Sequence, residues 1–361
     1  MDEPRSRYES VFAQASFQFC GHVDDYLIAN TRHLGLFYFQ TRFGKGGHLF
    51  RRYEEGRLVE ERTLAFSPSC FGYYWGLLNG WRRELNAFCA GKERVTALFT
   101  HPLLAVGLSS MKNVRAFFWQ WDYFPDGVVK SRLFNAFARF YAPRCDVYRP
   151  LTRAIGRAVG MPEAEPLMLG VKPPVRFGDA ASNRLLLVGQ LRGGQGIEPV
   201  LDFMAANKDY SLSLMGASAN GFGEEIRRRL AAGKMEERVF FPDRFVSDAE
   251  LRDEAAKCFA SLALYDTTPN NFTHYADPGK VKNSIEMGLP VIMTRISEIV
   301  PFVERFHAGE VIDSVRELPQ AIAKIRRDPE SYFNGCRAFA AHFDYTRYYA
   351  ANFLNGKESV P

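Results

Sequence analysis

The residues best suited to chemistry lie in Asp277-Pro278-Gly279-Lys280-Val281-Lys-Asn283-Ser284-Ile-Glu286-Met-Gly288-Leu-Pro290-Val-Ile-Met. A loop ending in Pro and Gly opens a helix of about eight residues, Gly288 and Pro290 stop it, and the apolar run that follows suits a buried strand. The first amides of such a helix have no intrahelical acceptor, so they point outward with the positive end of the helix dipole, and Lys280 adds a full charge beside them. That combination suits a phosphate. An ordinary helix-to-strand turn with a solvated lysine is the alternative for the same residues.

Pro278-x-Lys280, a short helix and Gly288-Leu-Pro290-Val-Ile resemble the donor-binding helix of GT-B glycosyltransferases, the family 4-like branch in particular. The resemblance implies an α/β chain of two Rossmann-like, doubly wound domains facing a central cleft, and a nucleoside-diphosphate-sugar as donor. Asn283 stands five before Gly288, where the family usually has Glu or Asp on the nucleotide ribose. Asn offers neutral hydrogen bonds in that role, and Ser284 or Glu286 could share it.

A second glycine-rich segment follows the apolar run Arg184–Val188: Gly189-Gln190-Leu-Arg192-Gly193-Gly194-Gln195-Gly196. Glycines between a strand and a helix let amides approach a diphosphate without interference from Cβ atoms, although the spacing is not that of a dinucleotide fingerprint. The segment resembles the family's Gly-Arg-Leu…Lys-Gly motif, with Gln190 and Gln195 in place of the two cations, which leaves Arg192 and Lys280 to supply charge. Beyond the strand ending at Tyr265, the polar loop 266–277, with His274 and Asp277, is expected to meet donor hydroxyls. The expected donor set is therefore Gly189, Gln190, Arg192, Gly194, Gln195, Tyr265, His274, Asp277, Gly279, Lys280, Val281, Asn283 and Ser284.

In the first half, the strand 95–99 ends at Thr100-His101-Pro102 and the strand 114–121 ends at Asp122-Tyr-Phe-Pro125. Parallel strands would bring His101 and Asp122 to one edge, where they could hold or deprotonate an acceptor hydroxyl; capping of local turns is the alternative for each. Trp121-Asp122-Tyr-Phe-Pro resembles the family's segment after its fourth strand, with Trp121 where many members have His, which shifts attention to Asp122. Gly46 and Gly47 follow the strand 34–40 and either line the acceptor side or form a turn, since 48–66 has the pattern of a hairpin around Glu54-Glu-Gly56. Residues 11–19 are expected to be helical. The segment 71–88 is helix-like, with Trp75, Trp81, Arg82 and Arg83; it suits either a core helix or one resting in a membrane interface.

At 361 residues the chain accommodates two domains, expected at 1–174 and 184–343 with a linker at 175–183 and a final helix, 344–361, crossing back to the first. Six scattered cysteines suggest reduced thiols. No long apolar run and no signal-peptide core are present, so the expected location is cytoplasmic. Residues 1–170 hold 22 Lys and Arg against 16 Asp and Glu, a net of +6. This basic half suits an anionic partner such as a lipid surface or a diphosphate-linked acceptor, while the absence of a Lys/Arg block or RNA motif argues against nucleic acid.

The resulting expectation is transfer of a UDP- or GDP-linked sugar to a hydroxyl of a glycan or lipid-linked acceptor. Helix amides and Lys280 would stabilise the leaving diphosphate without a metal, since no Asp-x-Asp stands at a strand end; retention of configuration is implied by the resemblance alone. A nucleotide-sugar epimerase and a non-catalytic binding protein of the same fold remain alternatives, with a Rossmann oxidoreductase a distant one.

Overall fold

The structure is a computed structural model and describes residues 7–16, 21–39, 47–66, 69–125, 127–219, 221–268 and 271–354. The chain divides into two units, residues 1–170 with 345–361, and residues 171–344.

In unit 1 the elements run β1 (Tyr8–Ser16), α1 (Gly21–Asn30), β2 (Thr31–Phe39), β3 (His48–Glu54), β4 (Arg57–Leu64), α2 (Cys70–Cys89), β5 (Val95–Phe99), β6 (Val114–Gln120), α3 (Val129–Tyr141), β7 (Val147–Pro150) and α4 (Arg153–Ala158). The sheet order is β4-β3-β2-β1-β5-β6-β7. Strands β2, β1, β5, β6 and β7 are parallel, and the hairpin β3–β4 adds an antiparallel edge. Of the helix expected over 11–19, residues 11–16 are instead part of β1, and 17–19 lie outside the described residues. The Val-Phe-Ala segment of β1 pairs with β2 on one side and β5 on the other, and that central place favours an extended apolar run over a helix. The hairpin turns at Glu55-Gly56, both at positive φ.

Helix α2 buries Tyr73, Leu77, Trp81, Leu85 and Phe88, at helical spacing, on one face of this sheet. Trp81 is fully buried with its ring 4.8 Å from that of Phe12. The C-terminal helix Tyr345–Asn352 belongs to the same unit. Its Tyr349, also fully buried, accepts a hydrogen bond from the Gly170 N–H at 2.8 Å and packs its ring near those of Tyr26 and Trp119.

Unit 2 contains β8 (Arg184–Val188), α5 (Ile197–Ala206), β9 (Ser211–Met215), α6 (Phe222–Ala232), β10 (Val239–Phe240), α7 (Asp248–Ala255), β11 (Ala260–Ala263), α8 (Gly279–Glu286), β12 (Val291–Thr294), α9 (Val300–Phe306), β13 (Gly309–Ile312), α10 (Leu318–Arg327) and α11 (Pro329–His342). All six strands are parallel, in the order β10-β9-β8-β11-β12-β13. The order reverses between β8 and β11, which opens a crevice at their carboxyl ends, the position where doubly wound sheets take ligands. The small, polar stretch 175–183 is not a free linker: Gly178 and Asp179 donate their N–H groups to the Gly288 and Cys258 carbonyls, which ties the stretch to this unit. Among the described residues, no helix is long and apolar enough to cross a membrane.

Candidate functional site

The crevice of unit 2 is built by chain turns that only glycine can make. Gly189 follows β8 with φ +136°, and a Cβ there would lie 2.4 Å from Lys280 Cε. The lysine side chain therefore runs directly over the glycine backbone. Gly216 follows β9 with φ +143°, and a Cβ there would lie 1.9 Å from the Gly189 carbonyl oxygen. These two absent side chains leave the floor on which Lys280 rests.

Helix α8 begins at Gly279 after Pro278, and no side chain caps it. A Cβ added to Gly279 would meet nothing within 4 Å, so the helix starts against open space. Proline at the preceding position supplies no N–H and sets the backbone for helix entry. The Val281 N–H is taken by the Pro278 carbonyl at 3.0 Å, which leaves the approach to the Gly279 and Lys280 amides as the open part of the terminus.

Lys280 is not the freely solvated group that its place in a loop-helix junction suggests. Its Nζ donates to Gln195 Oε1 at 2.7 Å and lies 5.6 Å from the Tyr265 ring centroid. Burial, followed by the nearby Arg192 guanidinium, holds its ammonium down at about 8. It stays mostly charged at neutral pH yet lacks a carboxylate partner among the described residues. Tyr265 is fixed in turn by Thr294, whose Oγ1 accepts from the Tyr265 N–H at 2.9 Å and hydrogen-bonds its carbonyl at 3.1 Å.

Around this centre Gln190, Arg192 and Gly194 are exposed, and the Arg192 guanidinium sits 5.6 Å over the Phe272 ring. Asn283 is exposed one turn into α8. His274 caps nothing at this end; its Nε2 is 2.9 Å from the Thr268 carbonyl.

Three expected ligands turn inward instead. Val281 is fully buried under the helix. Ser284, also fully buried, hydrogen-bonds Ser261 Oγ and the Lys280 carbonyl, both at 2.7 Å. Asp277 forms a buried ion pair with Lys282, whose ammonium is 4.8 Å from the Phe343 ring centroid. The helical period explains Val281 and Ser284, since with Lys280 and Asn283 outward, positions 281, 282, 284 and 285 face the sheet; Asp277, just before the helix, follows Lys282 inward through their pair. Ile285 fills the last of these helix positions. The Asp277–Lys282 pair ties the incoming loop to the first turn of α8 and so holds the open terminus in place.

In unit 1 the switch point lies between β1 and β5. Gln14 Oε1 on β1 accepts from the Thr100 and His101 N–H groups at 3.0 and 3.1 Å. His101 Nδ1 accepts from the Leu103 N–H at 3.2 Å, capping the short turn Pro102–Ala105. That bond leaves the hydrogen on Nε2, and burial plus Lys130 push the imidazole down to about 4, so His101 is neutral and its remaining nitrogen is a donor. It can hold a hydroxyl oxygen; it cannot take the hydroxyl proton in this tautomer.

Asp122 lies at the same edge, four residues beyond Phe118, which pairs with Phe99. Its side chain is reached by solvent, yet surrounding protein pushes the carboxyl up to about 6. Its carbonyl accepts from Gln120 Nε2 at 2.9 Å, and Gln120 Oε1 accepts from Tyr148 Oη at 2.9 Å. This fully buried glutamine holds the turn, a role that no local motif announces. Trp121 packs edge-on against Trp119, ring centroids 5.1 Å apart. Gly47 immediately precedes β3, and a Cβ there would meet the Leu64 carbonyl at 2.3 Å, so its glycine is required by hairpin packing. Gly46 lies outside the described residues.

No protein-family model matches the sequence, and no curated protein matches it. Solved structures do. A sucrose-phosphate synthase from Thermosynechococcus elongatus superposes with a TM-score of 0.69 at 14% identity, covering 94% of this chain and 96% of that one. HepE from Anabaena, solved in complex with UDP, gives 0.64 at 14% identity over 93% and 95%. WaaG, a glycosyltransferase involved in lipopolysaccharide biosynthesis, gives 0.59 at 16% over 96% and 100%. The chain thus has the GT-B fold of glycosyltransferases.

Proposed function

We propose that the protein transfers a glycosyl group from a UDP-linked sugar to a hydroxyl of a glycan or lipid-linked acceptor. One observation carries the reading: a lysine with no carboxylate partner among the described residues lies over a required glycine at the open start of α8, beside the switch point of a fully parallel sheet. A dianionic diphosphate is the ligand that satisfies both the ammonium and the first helix amides. UDP is favoured over GDP because HepE was solved with UDP and with UDP-glucose.

In this reading the α8 amides and Lys280 stabilise charge on the departing diphosphate, the role that a divalent metal plays elsewhere. Arg192 adds a second positive charge, and Asn283 takes a ribose hydroxyl. Gln195 orients the Lys280 ammonium without neutralising it. On the acceptor side, His101 Nε2–H holds the hydroxyl and Asp122 accepts its proton. Retention of configuration, implied by the family resemblance, belongs to the same proposal.

Titration calorimetry with UDP, GDP and their glucose conjugates tests the donor assignment. UDP-glucose binding that Lys280→Met weakens at least about tenfold supports it; equal affinity in both proteins rejects it. Product analysis with UDP-sugar alone separates transfer from epimerisation, since an epimerase needs no acceptor.

A further inference from the structure

Helix α3 is built inside out. Its sequence, Val129-Lys-Ser-Arg-Leu-Phe-Asn-Ala-Phe-Ala-Arg-Phe-Tyr141, buries Ser131, Asn135 and Ala138. The large apolar residues face water: Val129 is 72% exposed, Leu133 57%, Phe137 38% and Phe140 52%. At about 3.6 residues per turn these four form one stripe opposite the buried face. A surface helix ordinarily does the reverse.

The stripe is bordered by charge of one sign. Lys130 lies on one side and Arg132 and Arg139 on the other, and α3 contains no Asp or Glu. Among the described residues no carboxylate pairs with any of these three cations. Arg139 bonds the Ala158 carbonyl and Tyr123 Oη, holding its guanidinium beside the stripe, and Arg144 lies 3.8 Å over the Phe140 ring.

Helix α2 extends the surface. Phe71 is 78% and Trp75 59% exposed, their rings stacked at 6.0 Å. Tyr74 and Phe134 flank the His101 ring, and Lys130 Nζ lies 5.9 Å from Tyr74, so the two helices meet at their amino ends. An open groove of about 600 Å³ runs on from Trp75 past Asn79, Arg82 and Arg83.

We infer that this α2–α3 face docks unit 1 on an anionic phospholipid bilayer. Leu133, Phe137 and Phe140 would enter the acyl boundary, Trp75 would sit at headgroup depth, and the flanking cations would reach lipid phosphates. Charge complementarity selects this occupant. A second copy of the chain would bring the same basic rim against itself, which disfavours a symmetric dimer through this face.

Flotation of the full-length protein with phosphatidylcholine vesicles, with and without phosphatidylglycerol, tests the inference. Recovery with the anionic vesicles, weakened by salt, is the expected result. The exposed substitutions Leu133→Ser, Phe137→Ser and Phe140→Ser, combined, reduce partitioning more than about tenfold while the circular dichroism spectrum stays unchanged. Should that variant misfold, Lys130→Gln with Arg132→Gln and Arg139→Gln carries the test and removes the preference for anionic vesicles. Failure to float, equal recovery on neutral vesicles, undiminished binding by the folded variants, or a solution dimer dissolved by the triple serine variant would each overturn it.

Discussion

Lys280→Met should have two effects of opposite sign. The ammonium is held near 8 against an ordinary 10.5, a shift that sets a ceiling of about 3 kcal/mol on the cost of keeping it charged in the ligand-free fold. Loss of the bond to Gln195 returns about 1 kcal/mol of that, leaving a net gain of roughly 2 kcal/mol for the variant at pH 7. For a protein of this size the gain corresponds to a rise in Tm of several degrees.

The sign follows from linkage. Because the folded pKa is depressed, the penalty is fully present below about 8 and disappears as pH rises toward the unfolded value. The excess Tm of the variant should therefore shrink above pH 8. Ligand reverses the ranking: with saturating UDP-glucose the parent gains stability and the variant gains little. Scanning calorimetry at several pH values, with and without UDP-glucose, reads all of this. A lower Tm for the ligand-free variant at pH 7, or equal stabilisation of both proteins by the ligand, would refute the reasoning.

Other outcomes follow from the same geometry. UDP-glucose affinity of the parent should fall about tenfold between pH 7 and 9 as Lys280 loses its proton, with a flat profile for Lys280→Met, measurable by titration calorimetry. Gly189→Ala drives a Cβ into Lys280 Cε at a φ that alanine rarely adopts, so it should abolish donor binding and lower stability by about 1–3 kcal/mol in a denaturant melt. Asp277→Asn removes the carboxylate paired with the buried Lys282 and should cost about 3–5 kcal/mol by chemical denaturation. Asp122→Asn should spare UDP-glucose affinity while lowering turnover by about two orders of magnitude. The parent rate should decline as pH falls through about 6, where Asp122 takes up its proton, and an unaltered rate in Asp122→Asn would remove the residue from the mechanism.

The alternation of apolar runs with helical segments was legible because the inner strands β8, β9, β11 and β12 of unit 2 are buried on both faces, and such strands read as continuous hydrophobic stretches. The 48–64 hairpin was legible from Glu54-Glu-Gly56. Residues 8–16 were not, since Val-Phe-Ala-Gln-Ala fits a helix as well as a strand until its neighbours on both sides are known. At the site, the outward positions Lys280 and Asn283 follow from the helix start and the inward positions Val281 and Ser284 from its period, whereas Asp277, before the helix, turns inward only through its pair with Lys282. The placement of Lys280 over Gly189, its hold by Gln195 across 85 positions, and the buttressing of Tyr265 by Thr294 join residues far apart in sequence, so no local motif signals them.

The central claim is that the start of α8 and Lys280 together grip a diphosphate. A crystal structure of the protein with UDP tests it most directly. The account predicts the diphosphate within hydrogen-bonding distance of the Gly279 and Lys280 amides and of Lys280 Nζ, with Gln195 still in contact with that lysine. Diphosphate density anywhere else on the molecule, with the start of α8 unoccupied, would contradict it.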